Sequence, residues 1–351
     1  MTKRDIFLKT IKREMEGYVP FEFSLCPSLV NKFKQKTGRT DYVEYFNMPA
    51  RYIAVEALPR KVDFSTYFKD KGSDISVDHW GVGYIQGSLE HFNRMVHPME
   101  DFETIEEFKS FPYPNVEEDY NWDKLPSIVE SIKKSDLIAV ASMAITIFEI
   151  SWYLRGMDQF MVDLMMQPEL ACYHMDRITH IRCECARRYA RAGVDILHVG
   201  DDVATQRDMM MSPEMWRKFL KPRLKKVIDA AREVNPDILI DYHSDGNVES
   251  IIPDLIEIGV DILNPVQPEC MDPVKIKELY GDKLSFRGTI GTQTTMPFGS
   301  AEEVKRVCRE MIDKIGKGGG FILAPTHVLE PEVPWENIEA MLSVVNEYWP
   351  F

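Results

Sequence analysis

Cationic residues are in short supply in this chain: 42 lysines and arginines face 56 aspartates and glutamates, for a formal net charge of −14. Phosphate backbones and anionic lipid surfaces are gripped by clustered lysine and arginine. That balance argues against nucleic acid and membrane surfaces as partners. Long hydrophobic runs are missing too, since nothing approaches the about 20 apolar residues of a membrane-spanning helix. The opening M-T-K-R-D-I-F-L-K-T carries charge without an apolar stretch and does not read as a secretory signal. Six cysteines in 351 residues are too sparse for a disulfide framework, so a reduced, cytoplasmic setting is expected. No G-x-G-x-x-G follows a first strand and no Walker loop occurs, which lowers the dinucleotide and nucleotide readings. The glycine-rich run G-K-G-G-G at 316–320 precedes a strand candidate instead of a helix and reads as a turn.

Apolar residues make up 44% and charged residues 28%, the proportions of a soluble globular protein. From Leu137 onward a regular rhythm begins. Apolar strand candidates fall at 137–141, 195–200, 238–242, 261–266, 284–288 and 321–325, each bounded by turn signals. Helical stretches lie between them, among them Pro213 to Val234, Asn247 to Gly259 and Ala301 to Gly316, with proline near a start and glycine at ends. Strands alternating with helices predict a parallel sheet. With V-P-F-E-F-S-L-C-P from Val19 and one further early strand, the count reaches eight. The expected fold is therefore a single (β/α)8 TIM barrel over 1–351, with a doubly wound open sheet as the alternative. Residues 1–18 are expected as an N-terminal helix, amphipathic through Ile6, Phe7, Ile11 and Met15. Residues 41–123, rich in aromatics and charges, read as an excursion over one face and a linker, with a short acidic helix within Asp101–Pro114.

Polar residues at strand ends are the candidates for chemistry, because α/β folds carry their sites at the C-terminal ends of parallel strands. The stretch I-L-I-D-Y-H-S-D-G at 238–246 ends a strand on His243 and Asp245, two residues apart and so on one side of the chain. His327 follows the last strand candidate. Two imidazoles and a carboxylate suit a metal site with open positions or an acid/base pair. Cys26, Glu149, Asp201, Asp202, Gln267 and Arg287 sit at or just beyond other strand ends. Arg287 suits an anion clamp or a structural ion pair. His198, inside a strand, reads as a satisfied core histidine, and the C-x-C of Cys183 and Cys185 as two diverging helical positions.

Several segments together resemble the uroporphyrinogen decarboxylase superfamily, in particular its corrinoid-dependent methyltransferase branch. They are D-H-W-G (78–81), G-D-D-V-A-T-Q (200–206), S-P-E-M-W-R-K-F-L-K-P (212–222), H-S-D-G-N-V (243–248), V-D-I-L-N-P-V-Q-P (260–268), F-R-G-T-I-G-T-Q (286–293) and G-K-G-G-G-F-I-L-A-P-T-H (316–327). The resemblance implies the same barrel with its site at the C-terminal face. The decarboxylases have an N-terminal R-x-x-x-R-Y element for a polycarboxylate; here the region reads Y-V-P-F-E-F-S-L-C-P-S-L, with no arginine and with an uncompensated Glu22. Thiol-methylating relatives have a zinc motif H-x-C and a distant second cysteine. His243 matches the histidine, Asp245 stands at the first cysteine and His327 at the second. Nitrogen and oxygen donors leave zinc harder and more Lewis-acidic than thiolates do, which suits polarising an ether oxygen. The resemblance thus implies a methyltransferase moving a methyl group from a small methoxylated aromatic to the Co(I) corrinoid of a separate protein. Zinc would be held by His243, Asp245 and His327, with Glu149 as a further ligand or proton donor. Trp80, Asp202, Gln206 and Arg287 would line the substrate site. A metal-free lyase acting on a carboxylated substrate is the alternative.

Overall fold

Runs such as I-A-V-A-S-M and I-L-H-V-G are apolar on both faces, which suits strands covered by helices outside and by side chains inside. In the computed structural model, residues 1–69, 74–87 and 93–351 are described. Ten strands occur among them, in chain order: β1 Ala50–Ile53, β2 Ser76–Val77, β3 Gly83–Gln86, β4 Asn93–Val96, β5 Ile138–Met143, β6 Ile196–Gly200, β7 Leu239–His243, β8 Ile262–Asn264, β9 Ser285–Arg287 and β10 Phe321–Ile322. Seven of them form one parallel sheet in the order β1-β5-β6-β7-β8-β9-β10. The order follows the chain without reversing, so the sheet has no topological switch point and is not doubly wound.

The eighth strand expected of a closed barrel is reduced to bridges. Phe21 pairs in parallel with Leu323, and Leu25 with Leu329. No ladder joins this segment to β1 among the described residues. The two edges nevertheless meet, because Glu22, Phe23 and Ser24 from one side and Met48, Ala50 and Tyr52 from the other line a common cavity. Tyr52 Oη donates to both Glu22 carboxylate oxygens at 3.0 Å. The sheet is therefore curled, and its seam is stitched by side chains instead of backbone.

Other boundaries shift for local reasons. The N-terminal helix covers Lys3–Ile11, capped by Thr2 with a reciprocal bond to Asp5, and stops short of residue 18. Pro222 lacks an N–H, and the stretch from Pro213 forms two helices, Pro213–Phe219 and Lys221–Arg232. The acidic helix is Ile105–Ser110. The segment 41–123 is more than an excursion: it supplies β1 and a three-stranded antiparallel sheet, β2-β3-β4. Residues 70–73 and 88–92 of that segment lie outside the described residues. No described helix is long and apolar enough to cross a membrane.

One glycine is demanded by the sheet. Gly200, at φ +151°, pairs with His243, and a Cβ there would lie 2.0 Å from the His243 carbonyl oxygen. Gly200→Ala must push β6 and β7 apart at the residue that carries the imidazole. It is expected to lower the unfolding free energy by about 1–3 kcal/mol. A denaturation midpoint equal to that of the parent would contradict this close approach.

Candidate active site

The ends of β7 and β8 place two polar side chains side by side, with a glycine next to them at the end of β6. Register pairs Gly200 with His243 and His243 with Asn264. Asn264 Nδ2 donates to the Arg287 carbonyl oxygen at 3.0 Å, so its Oδ1 faces His243 and accepts from Nδ1 at 2.7 Å. That bond fixes the tautomer: Nδ1 carries the proton and Nε2 offers its lone pair outward. Nε2 lies 3.6 Å from Asp202 Oδ1. One donor atom each from Asp202, His243 and Asp245 falls within 4.8 Å of the others. His327 Nε2 stands 4.0 Å from Asp245 Oδ2 and its side chain is 52% exposed; it borders this trio without joining it.

The carboxylates are fixed from below. Asp201 accepts the backbone N–H groups of Thr146, Ile147 and Glu149 at 2.9–3.1 Å, which holds the helix Phe148–Arg155 against the end of β6. Asp202 Oδ1 accepts the Asp245 N–H at 2.8 Å. Glu149 is buried; its Oε2 accepts the Asp202 N–H at 3.1 Å and its Oε1 accepts the Tyr153 hydroxyl at 3.0 Å. Burial, reinforced by Asp201 and Asp202, pushes the Glu149 carboxyl well above the usual range. Burial also raises Asp201 and Asp245, the latter with the help of Asp202 and against the pull of His243 and His327. Asp245 Oδ1 is buried with no hydrogen-bond partner among the described residues.

Two cavities flank this cluster. An inner one of about 490 Å³ is lined by Glu22, Tyr42, Tyr52, His198, His243 and Arg287, among others. An outer one of about 570 Å³ is lined by Gln206, Asp245, Gln267, Gln293 and Glu330, among others. His327 belongs to the walls of both. The remaining candidates are scattered. Gln206 donates to Gln293 Oε1 at 2.9 Å in the outer cavity. Trp80 is buried beneath the Arg182 guanidinium, 4.8 Å from its ring centre, and lines neither cavity. Arg287 is shared between Glu22 and Asp241, so Glu22 has a cationic partner, but one it divides with a second carboxylate. His198 donates to Asp241 at 2.9 Å, a satisfied core histidine that also faces the inner cavity. Cys183 and Cys185 are buried in the helix Pro168–Ala192.

An imidazole nitrogen and two carboxylates, one with an orphaned buried oxygen, fit a divalent ion that accepts nitrogen and oxygen donors. Asn264 is the residue that sequence reading missed. Its only signal was its place at the end of D-I-L-N, beside the strand ending on His243. Asn264→Ala is expected to weaken zinc binding about 10–100-fold in a chelator-competition titration, with the fold retained. Unchanged affinity would show that the ring needs no such guide.

The family profile for uroporphyrinogen decarboxylase (URO-D) matches residues 2–348. A methylcobamide:CoM methyltransferase, MtaA, of Methanosarcina barkeri is 27% identical over 215 residues, 61% of this chain and 55% of the relative. The chain thus spans about half the length of that curated relative. A uroporphyrinogen decarboxylase of Thermus thermophilus is 24% identical over 359 residues, 98% of each chain. The solved structure of a methyltransferase from Methanosarcina mazei superposes with a TM-score of 0.69 at 20% identity, covering 99% of each chain, which shows a shared fold. Matched over nearly its whole length, the chain belongs to the uroporphyrinogen decarboxylase family.

Proposed function

We propose that this protein is a corrinoid-dependent methyltransferase that takes a methyl group from a small methoxylated aromatic and passes it to the Co(I) corrinoid of a separate protein. The observation that carries the reading is the donor set: Asp202, His243 and Asp245 within 4.8 Å of one another, with no thiolate among them. The similarity to a methylcobamide:CoM methyltransferase supports the corrinoid. The ligand types support an oxygen-linked methyl donor, because a thiol-activating site is served by electron-rich thiolate ligands. On this reading the segment around Phe21 takes the eighth place of a (β/α)8 barrel.

His243 and Asp245 would hold zinc, with Asp202 as the nearest further donor and His327 within reach through Asp245. Bound there, zinc supplies Lewis acidity toward the ether oxygen and the leaving phenoxide. The chain does the rest. Tyr42 and Tyr52 in the inner cavity bound a space suited to one aromatic ring. Glu149, its carboxyl raised by burial, holds a proton beside Asp202 for the departing oxygen. The outer cavity leaves the opposite side open, as in-line transfer from oxygen to a partner's cobalt requires.

The full-length similarity to a uroporphyrinogen decarboxylase favours the second reading, a metal-free lyase on a carboxylated substrate. Against it, Arg287, the cation at the floor of the inner cavity, is already paired with Glu22 and Asp241.

Metal-loaded protein, cob(I)alamin and a panel of methoxyarenes are expected to form methylcobalamin, followed by absorbance. His243→Ala should abolish turnover and most zinc binding with the fold intact, whereas His327→Ala should weaken zinc less than His243→Ala does. A fully metallated protein that demethylates no methoxyarene, yet methylates a thiol from methylcobalamin, would overturn the donor class.

A further inference from the structure

At the floor of the inner cavity Glu22 and Arg287 line the space, and Asp241, just behind them, is a second carboxylate on the same guanidinium. Arg287 is the only cation in that floor among the described residues. Its Nη1 donates to Glu22 Oε1, and its Nη2 lies 2.6 Å from Asp241 Oδ2. Its Nε is buried out of reach. Two carboxylates thus face one guanidinium, with side-chain exposures of 16% for Glu22, 3% for Asp241 and 10% for Arg287. Little solvent is present to screen the surplus. His198 does not offset it. Its Nδ1 donates to the same Asp241 oxygen at 2.9 Å, with Arg287 Nη2 3.2 Å from that nitrogen. Tyr52 spends its hydroxyl proton on Glu22.

The other cation on the walls is Arg51. Tyr52 faces inward, with its ring edge-on to His198 at 5.9 Å between centres, so its strand neighbour Arg51 points to the opposite side of β1. There its Nη1 donates to the Met48 and Ala50 carbonyl oxygens at 2.7 and 3.0 Å. No lysine lines this cavity among the described residues. What the floor does offer is an acceptor, the Glu22 carboxylate.

We infer that the inner cavity selects an uncharged, hydroxylated methoxyarene and rejects its carboxylated analogue, with Glu22 as the specificity-determining residue. A phenolic hydroxyl finds the Glu22 carboxylate as its acceptor in the floor, while a carboxylate meets like charge there. The inference rests on the proposed function for the word donor, but selectivity in binding can be read without any methyl transfer.

The test is calorimetric titration of the zinc-loaded protein with guaiacol, a neutral methoxyphenol, and with vanillate, the same ring bearing a carboxylate. Guaiacol is expected to bind at least about tenfold more tightly. Glu22→Gln keeps an acceptor for Tyr52 and removes one charge, and it is expected to narrow that ratio by about tenfold, mainly through tighter vanillate binding. Asp241→Asn is the second variant, with the same expected direction, should Glu22→Gln fail to fold. Equal affinities, a preference for vanillate, no binding of either probe, or an unchanged ratio in a folded variant would each overturn the inference. Selective guaiacol binding without methyl transfer to cob(I)alamin would leave it standing and remove the methyltransferase reading instead.

Discussion

One hydrogen bond, from His243 Nδ1 to Asn264 Oδ1 at 2.7 Å, organises the mouth of this sheet. Asn264 is itself held by the Arg287 carbonyl, so three adjacent strands fix one imidazole. The ring then has a single free nitrogen, aimed at the two aspartates. Everything on the other side of His243 depends on how closely β6 approaches, and that is set by Gly200. Backbone register and one amide side chain thereby turn an ordinary strand end into a directed nitrogen donor.

The same end of the sheet concentrates carboxyl groups that repel one another. Glu149, Asp201, Asp202 and Asp245 are brought close together, and burial raises the proton affinity of Glu149, Asp201 and Asp245. Asp201 is steadied by three backbone N–H groups, but the orphaned Asp245 oxygen is not. A divalent cation is the simplest group that compensates such a cluster. Below it, Glu22 and Asp241 share the Arg287 guanidinium. Site and floor are separate electrostatic layers, and His243, 5.9 Å from His198 between ring centres, lies at their boundary.

Much of this was legible in the sequence. The strands from Ile138 to Ile322 appear as apolar runs because both faces of each are covered, and His243 and Asp245 appear as polar residues ending one of them. β1 was hidden for the opposite reason: in A-R-Y-I, Tyr52 faces a cavity and Arg51 faces outward, so no apolar run marks it. The segment with alternating Phe21, Phe23 and Leu25 shows its burial in the sequence, but not that it pairs through isolated bridges instead of a ladder. Asp202 was placed in the pocket wall because spacing along the chain cannot show that the turn after β6 folds back over the end of β7. His327 was given the place nearer the metal by alignment with a cysteine, yet its side chain leans into solvent. Pairing of Arg287 with Glu22, 265 positions away, could not be read from either residue's neighbourhood.

The central claim is that the site binds its metal through nitrogen and oxygen alone. X-ray absorption at the zinc edge of the metal-loaded protein tests it directly. The account predicts a single shell of N/O scatterers at about 2.0–2.1 Å with an imidazole signature, lost in His243→Ala. A sulfur shell at about 2.3 Å, such as recruitment of nearby Cys270 would produce, or a spectrum unchanged by His243→Ala, would contradict it.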